Sequence, residues 1–297
     1  MKSTANSSFT VWILAARPKT LPAAVAPVLI GTAIAFDAGK VHWLSAILAA
    51  FAALMIQIGT NFANDYFDHL HGADDRSRLG PTRVTQAGLV KPQTMKLATA
   101  VVFGLAFLSG IYLIYRGGWP ILVIGLLSIL FGILYTGGPF PLGYHGLGDI
   151  FVFVFFGLVT VGGTYYVQAL ALPPKVLIAG VAPGFYSTAI LTVNNLRDIF
   201  SDQEAGKKTL AVRFGSRFAR LEYLLSLFIA SLVPVILYLL TTEHFYALAA
   251  SLVFFVAIPS LKTVFREPPG TIFNQVLAST GKLLLIYSLL FSLGWIL

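Results

Sequence analysis

The chain has no cysteine, which excludes disulfides, thiolate metal sites and a cysteine nucleophile. Charge is also scarce. Only 11% of the 297 residues are charged, and the acids number 12 against 20 lysines and arginines. No soluble domain or low-complexity segment interrupts the chain. The polar N-terminus has no small-residue cleavage site after a compact apolar stretch, so no cleaved signal peptide is expected. A formal charge of +8 need not mean nucleic acid, and no nucleic-acid partner is expected. In so apolar a chain, what matters is which side carries the positive residues.

What the chain does have is hydrophobic length. Hydrophobic residues make up 57% of it and mean hydropathy is +0.82. Apolar runs of roughly 20 residues, enough to cross a bilayer as a helix, recur along most of it. Nine spans are predicted, at about 20–37, 42–63, 94–115, 119–136, 149–170, 175–196, 219–240, 245–261 and 276–296. Pro27, Pro183, Pro234 and Pro259 interrupt several of them. Membrane helices tolerate this where neighbours satisfy the freed carbonyls. The expected fold is an all-α polytopic membrane protein, with residues 1–297 as one integral membrane domain surrounded by lipid.

With the N-terminus inside, sixteen basic residues fall on the first side of this layout and three, Lys40, Arg116 and Lys175, on the other. That asymmetry is a positive-inside signal. It places the N-terminus and the loops near 64–93 and 197–218 in the cytoplasm, with the C-terminus opposite.

Those two loops hold the costliest residues. Six of the 12 acids lie in two clusters, Asn61–Asp68 continuing to Asp74 and Asp75, and Asn194–Asp202. Carboxylates near lipid are expensive and mark a site. A lone aspartate at a span end is ordinarily a cap or a hydrated residue. Two Asn-plus-Asp clusters on the same side ask for more. Asp65/Asp68 and Asp198/Asp202 are spaced i,i+3 and i,i+4, so each pair is expected to share a helix face. Brought together, the pairs would repel unless a cation lay between them, and oxygen-rich sites of this kind suit Mg²⁺. Asn61 and Asn64 add neutral oxygens or amide donors. Four spans separate the clusters, so their helices run in the same direction. That suggests two four-helix repeats plus one further helix.

Basic residues follow each cluster: Arg76, Arg78 and Arg83 after the first, Lys207 and Lys208 after the second, with Arg197 inside it. Most serve positive-inside charge and lipid headgroups. A few, with metal, would clamp a diphosphate. Gly206-Lys207 lacks the upstream glycine of a phosphate-binding P-loop. Acids, metal and bases beside lipid imply a polyanion with a greasy part, such as an isoprenyl diphosphate. Metal would stabilise the leaving diphosphate, and aromatic faces would stabilise the resulting allylic cation. The aromatics near the clusters are Tyr66, Phe67, Tyr135, Tyr144, Phe153, Tyr165, Tyr166 and Phe185. Tyr135 and Tyr144 stand out because they flank the Gly- and Pro-rich loop 135–149, which contains His145 and has no Lys or Arg.

These residues resemble the UbiA-type intramembrane prenyltransferases. The likeness runs through Arg17-Pro18-Lys19-Thr20, Asn61-x-x-Asn64-Asp65-x-x-Asp68, Tyr135-Thr-Gly-Gly-Pro139, Asn194-Asn195-x-Arg197-Asp198-x-x-x-Asp202 and Gly206-Lys207-x-Thr209. The resemblance implies nine helices around a central cavity in a bacterial inner membrane. It implies that Asp65, Asp68, Asp198 and Asp202 hold Mg²⁺ and the diphosphate, with Asn64 and Asn194 assisting and Arg83, Arg197 and Lys207 contacting the diphosphate. Where the superfamily often carries a third acid, Gly72 stands here, and Asp74 is the expected replacement. This variant is similar to the branch that accepts 1,4-dihydroxy-2-naphthoate. That branch implies ring prenylation with loss of the carboxylate, giving demethylmenaquinone. The alternatives are another aromatic acceptor (4-hydroxybenzoate, homogentisate or a tetrapyrrole), a phytyl donor or, outside enzymes, a secondary transporter of an organic anion.

Overall fold

In lipid a backbone must satisfy its own hydrogen bonds, and among its described residues this chain does so with helices and short turns alone. The computed structural model describes residues 8–70 and 79–297. Lys2, Gly72, Asp74, Asp75, Arg76 and Arg78 lie outside the described residues.

The first span is broken. α1 (Ser8–Ala16) and α2 (Pro22–Asp37) flank a turn, and the segments Phe9–Thr20 and Pro22–Asp37 meet at 54°. Arg17, at the break, adopts a left-handed conformation with φ 52°. The ring of Pro18 disfavours right-handed helix for the residue before it. There follow α3 (Trp43–Leu70), α4 (Pro92–Gly117), α5 (Trp119–Leu134), α6 (Gly148–Ala169) and α7 (Pro174–Arg197). The chain ends with the short α8 (Ile199–Glu204), then α9 (Leu210–Thr241), α10 (Phe245–Arg266) and α11 (Phe273–Ile296). Seven of these helices are long and apolar enough to cross a membrane alone, and the bent pair makes an eighth. α5, at 16 residues, is a shorter apolar helix.

Each of the nine expected spans falls on one of these elements, but the edges differ. α3 continues to Leu70, so Asn61–Asp68 of the first acidic cluster lies on a helix and not beyond its end. α9 starts at Leu210, well before the expected 219, and Gly215 at φ 83° breaks its early turns.

α7 is the central helix: 72% of its apolar window is buried, against 22% for α3 and α4. In each half the cluster-bearing helix makes its largest contact with the next span, α3 with α4 and α7 with α9. Ile30, Tyr186, Tyr223, Leu284 and Tyr287 belong to the main core, and Val11, Phe62, Val84 and Met95 to a smaller one beside the first cluster. α6 approaches α7 closely through glycine. A Cβ placed on Gly157 would lie 2.5 Å from the carbonyl oxygen of Gly180. Small residues at such crossings allow the dispersion contact that holds helices together in lipid. The same stretch of α6, Val154–Val159, is a π-helical turn, a feature common beside functional sites.

Candidate active site

The helices enclose a cavity of about 560 Å³, within the usual range for ligand sites. Its wall on α3 runs from Ala49 to Asp68. At about 1.5 Å per residue that is roughly 28 Å, close to the thickness of a bilayer's hydrocarbon core. One end carries Asn64, Asp68, Arg83, Asn194, Asp198, Asp202 and Lys207. Toward the other end the wall becomes Leu113, Ile114, Ile121 and Leu122.

The polar end stands on two matching stripes. On α3 the cavity-facing residues include Gln57, Asn61, Asn64 and Asp68, in steps of four, three and four. On α7 they include Ser187, Leu191, Asn194 and, at the helix end, Asp198, in the same steps. The repeat expected from the sequence is visible here as Asn64→Asp68 matched by Asn194→Asp198.

Asp68 is 1% exposed and highly connected. It accepts from the guanidinium of Arg83 and, at 2.7 Å, from the Tyr144 hydroxyl. Asn64 accepts from Thr136 at 2.8 Å. Asn61 donates to the Ala16 carbonyl at 2.9 Å and to Thr20 at 3.2 Å, tying α3 to the break in the first span. Asp65 faces elsewhere. It does not line the cavity, and its two oxygens accept the backbone N–H groups of Val84 and Thr85, each at 3.0 Å.

The second cluster straddles a joint. α7 ends at Arg197, and Asp198 is the residue between it and α8. Asp198 and Asp202 are therefore not on one unbroken helix, although the Asp202 N–H still donates to the Asp198 carbonyl at 2.8 Å. Arg197 is 1% exposed and grips its neighbour Asp198 with two bonds, at 2.8 and 2.5 Å. Its remaining donors reach Asn274 and Asn194, each at 2.8 Å. Arg197 therefore sits behind the cavity wall.

Lys207 joins the halves. Its Nζ lies 3.9 Å from Asp68 Oδ1, 3.6 Å from Asp202 Oδ1 and 4.7 Å from the centre of the Tyr144 ring. The loop carrying Tyr144 is docked on the loop carrying Lys207, because the Lys208 N–H donates to the Tyr144 carbonyl at 2.7 Å. Gly146 allows this approach: its φ is 71°, and a Cβ there would meet the Lys208 carbonyl at 2.7 Å. His145 takes no part in the cavity. Its ring stacks on Phe140, and its Nδ1 bonds the Pro141 carbonyl at 2.8 Å.

Tyr135, just past α5, lines the cavity. Burial first, then the charges of Asp149, Asp202 and Asp68, push its phenol well above the ordinary tyrosine value, so it stays neutral. Of the aromatics expected near substrate, only Tyr135 and Tyr144 line the cavity, where Phe107, Phe131, Phe151, Phe155 and Phe156 join them. Sequence reasoning also missed Arg17 and Thr136 in the wall. The Arg17-Pro18 pair was the available signal for the first.

Among the described residues no three His, Asp or Glu side chains gather closely enough to hold a metal ion by themselves. Mg²⁺ ordinarily takes one or two carboxylates and completes its shell with water and phosphate oxygens. The gap between Asp68 and Asp202 already accommodates a cation, the Lys207 ammonium. Hard oxygens from both halves around such a gap fit Mg²⁺ shared with a polyphosphate.

A model of the UbiA prenyltransferase family matches residues 24–295. The chain is 41% identical over 294 residues to 1,4-dihydroxy-2-naphthoate octaprenyltransferase of Escherichia coli strain K12, covering 95% of this chain and 94% of the relative. Among solved structures, a UbiA homolog from Aeropyrum pernix K1 superposes with a TM-score of 0.70 at 16% identity, covering 94% of this chain and 97% of that one. A UbiA homolog from Archaeoglobus fulgidus bound to GPP and Mg²⁺ superposes with a TM-score of 0.67 at 15% identity, covering 96% and 99%.

Proposed function

The chain belongs to the UbiA prenyltransferase family, and from that premise we propose that it transfers a prenyl group from an isoprenyl diphosphate to the ring of 1,4-dihydroxy-2-naphthoate. The ring carboxylate leaves as CO₂ and the product is demethylmenaquinone. The observation that carries this reading is the two-ended cavity, roughly 28 Å long on α3, with acids and bases at one end and a mostly apolar wall toward the other. A diphosphate fits the first part and an isoprenyl chain the second. The identity to the E. coli naphthoate enzyme supports the choice of acceptor.

The roles follow from position. Asp68, Asp198 and Asp202, with Asn64 and Asn194 beside them, would hold Mg²⁺ together with the diphosphate. The A. fulgidus homolog solved with GPP and Mg²⁺ supports that assignment. When bound, the metal would neutralise charge on the leaving diphosphate. Lys207 and Arg83 bind the same group as point charge and fork. Arg197 holds Asp198 in place. Tyr135 and Tyr144 present neutral rings at the polar end, where an allylic cation would form. The acceptor ring attacks that cation, and apolar walls keep water from doing so. Residues 1–297 act as one domain of an integral membrane protein in the bacterial inner membrane. Its N-terminus and polar cavity end are cytoplasmic, and its C-terminus lies opposite.

The test supplies purified protein in lipid with Mg²⁺, a labelled allylic diphosphate and dihydroxynaphthoate. Prenylated product with matching CO₂ release is expected. No product with this or any other aromatic acceptor would sink the enzyme reading.

A further inference from the structure

The turn at 83–90 begins with amides that its own backbone does not use. Ala87 N–H donates to the Arg83 carbonyl at 2.9 Å, Gly88 to Thr85 at 3.0 Å and Leu89 to Val84 at 2.9 Å. That leaves the N–H groups of Val84 and Thr85 pointing back out of the turn, as the first amides of a helix do. Water cannot serve them well, because Val84 is 0% and Thr85 3% exposed. Asp65 serves both, one oxygen each. The aspartate lies about 100° around α3 from its neighbour Asn64, off the cavity stripe. Arg83 is the residue immediately before the capped amides, and its guanidinium reaches Asp68.

We propose that Asp65 is a positioning residue: its carboxylate caps the 83–90 turn from α3 and so holds Arg83 at Asp68 and at the diphosphate subsite, while Asp68 faces the metal. The inference rests on the prenyl-transfer reading for what Arg83 binds, but the capping itself does not. It separates two aspartates that spacing alone treats as a pair. A carboxylate with both oxygens turned to buried amides points away from the place where metal and diphosphate would meet.

The experiment compares Asp65→Ala, Asp65→Asn and Asp68→Ala in the full chain in detergent. Two readouts need no turnover: hydrogen exchange of the segment 83–90, and Mn²⁺ titration in the presence of inorganic diphosphate. In Asp65→Ala, exchange of that segment should rise about tenfold, the usual scale of a lost cap. Mn²⁺ half-saturation should stay within about twofold while that of Asp68→Ala rises about tenfold or more. With prenyl diphosphate, Asp65→Ala should raise KM by about tenfold and change kcat far less. Asn keeps one acceptor oxygen but turns an NH₂ toward the second amide, so Asp65→Asn should raise loop exchange less than Asp65→Ala does, and its Mn²⁺ titration carries the test if the alanine variant does not fold. Unchanged loop exchange in Asp65→Ala overturns the proposal, and so does a Mn²⁺ shift in Asp65→Asn as large as that of Asp68→Ala. Should the wild type make no prenylated product, the function fails separately, because the exchange readout is taken without substrate.

Discussion

Asp68 meets the guanidinium of Arg83, fifteen residues further on, whereas Asp198 meets that of Arg197, the residue beside it. The two acids occupy the same step of matching stripes, yet their charges are answered from different distances. The second cluster is self-contained. Once α7 ends, Arg197, Asp198 and Asn194 close on one another, and Asn274 adds the last acceptor. The first cluster depends on a loop that must be carried back to α3 and held there. Burial magnifies the contrast, because a desolvated carboxylate without its partner is costly. One half therefore offers a fixed anionic platform, and the other an anion whose counter-charge is as well placed as the turn that bears it. Lys207, between Asp68 and Asp202, is the only cation within 4 Å of carboxylates from both halves among the described residues.

The contrast can be broken most forcefully at Arg197. Arg197→Ala strands Asp198 in a buried site and should cost about 3–5 kcal/mol of stability, read as a fall in the unfolding midpoint in detergent. Arg83→Ala should cost less, because Asp68 keeps the Tyr144 hydroxyl and the Lys207 ammonium, and should show itself in KM for the diphosphate. Equal losses of stability would mean that the first cluster is as self-contained as the second. Next comes the pair of cavity acids. Asp68→Asn and Asp198→Asn should each lower kcat/KM by roughly 10²–10³-fold, the usual scale for losing one preorganised electrostatic group. If only one of them matters, the two stripes are not functionally equivalent. Lys207→Ala should raise KM for the prenyl diphosphate by about 10–100-fold, the scale of a hydrogen bond to a charged group. An unchanged KM would place the diphosphate elsewhere.

Much of this was legible from the chain. Apolar runs located the spans, and the sorting of basic residues put both clusters at one end. The stripe itself was not. Asp65 and Asp68 are about 60° apart around a helix, close enough to count as one face by spacing. Only the loop that returns to α3 decides that one of them faces amides and the other the cavity. Asp198 and Asp202 kept their i,i+4 bond across a helix break that no glycine or proline announces. The cavity phenylalanines were lost among 24 on a chain where most face lipid or core. Phe155 and Phe156 lie within the π-turn in α6, which hydropathy cannot register. Arg17 was quoted for its resemblance, but its place in the wall follows from the break before Pro18.

Asn274 is where the two arrangements touch, and it should give the smallest effect. It lies at the start of α11, accepting from Arg197 at 2.8 Å and donating to the Leu79 carbonyl at 2.8 Å. The same side chain therefore completes the self-contained cluster and tethers the loop that serves the other. Asn274→Ala removes one neutral hydrogen bond and leaves one Arg197 donor without its acceptor, which should cost about 1–2 kcal/mol. If the clusters are independent, the loss should appear only as a lower unfolding midpoint, with exchange across 79–90 unchanged. If the tether matters, loop exchange should rise together with KM for the diphosphate while Asp198 keeps Arg197. The second outcome is expected, because the polar contacts that hold the loop to α3, Asp65 with Val84 and Thr85 and His69 with Gln86, all lie C-terminal to Arg83, whereas Leu79 lies before it. A loop released at Leu79 would let the Arg83 guanidinium wander from Asp68.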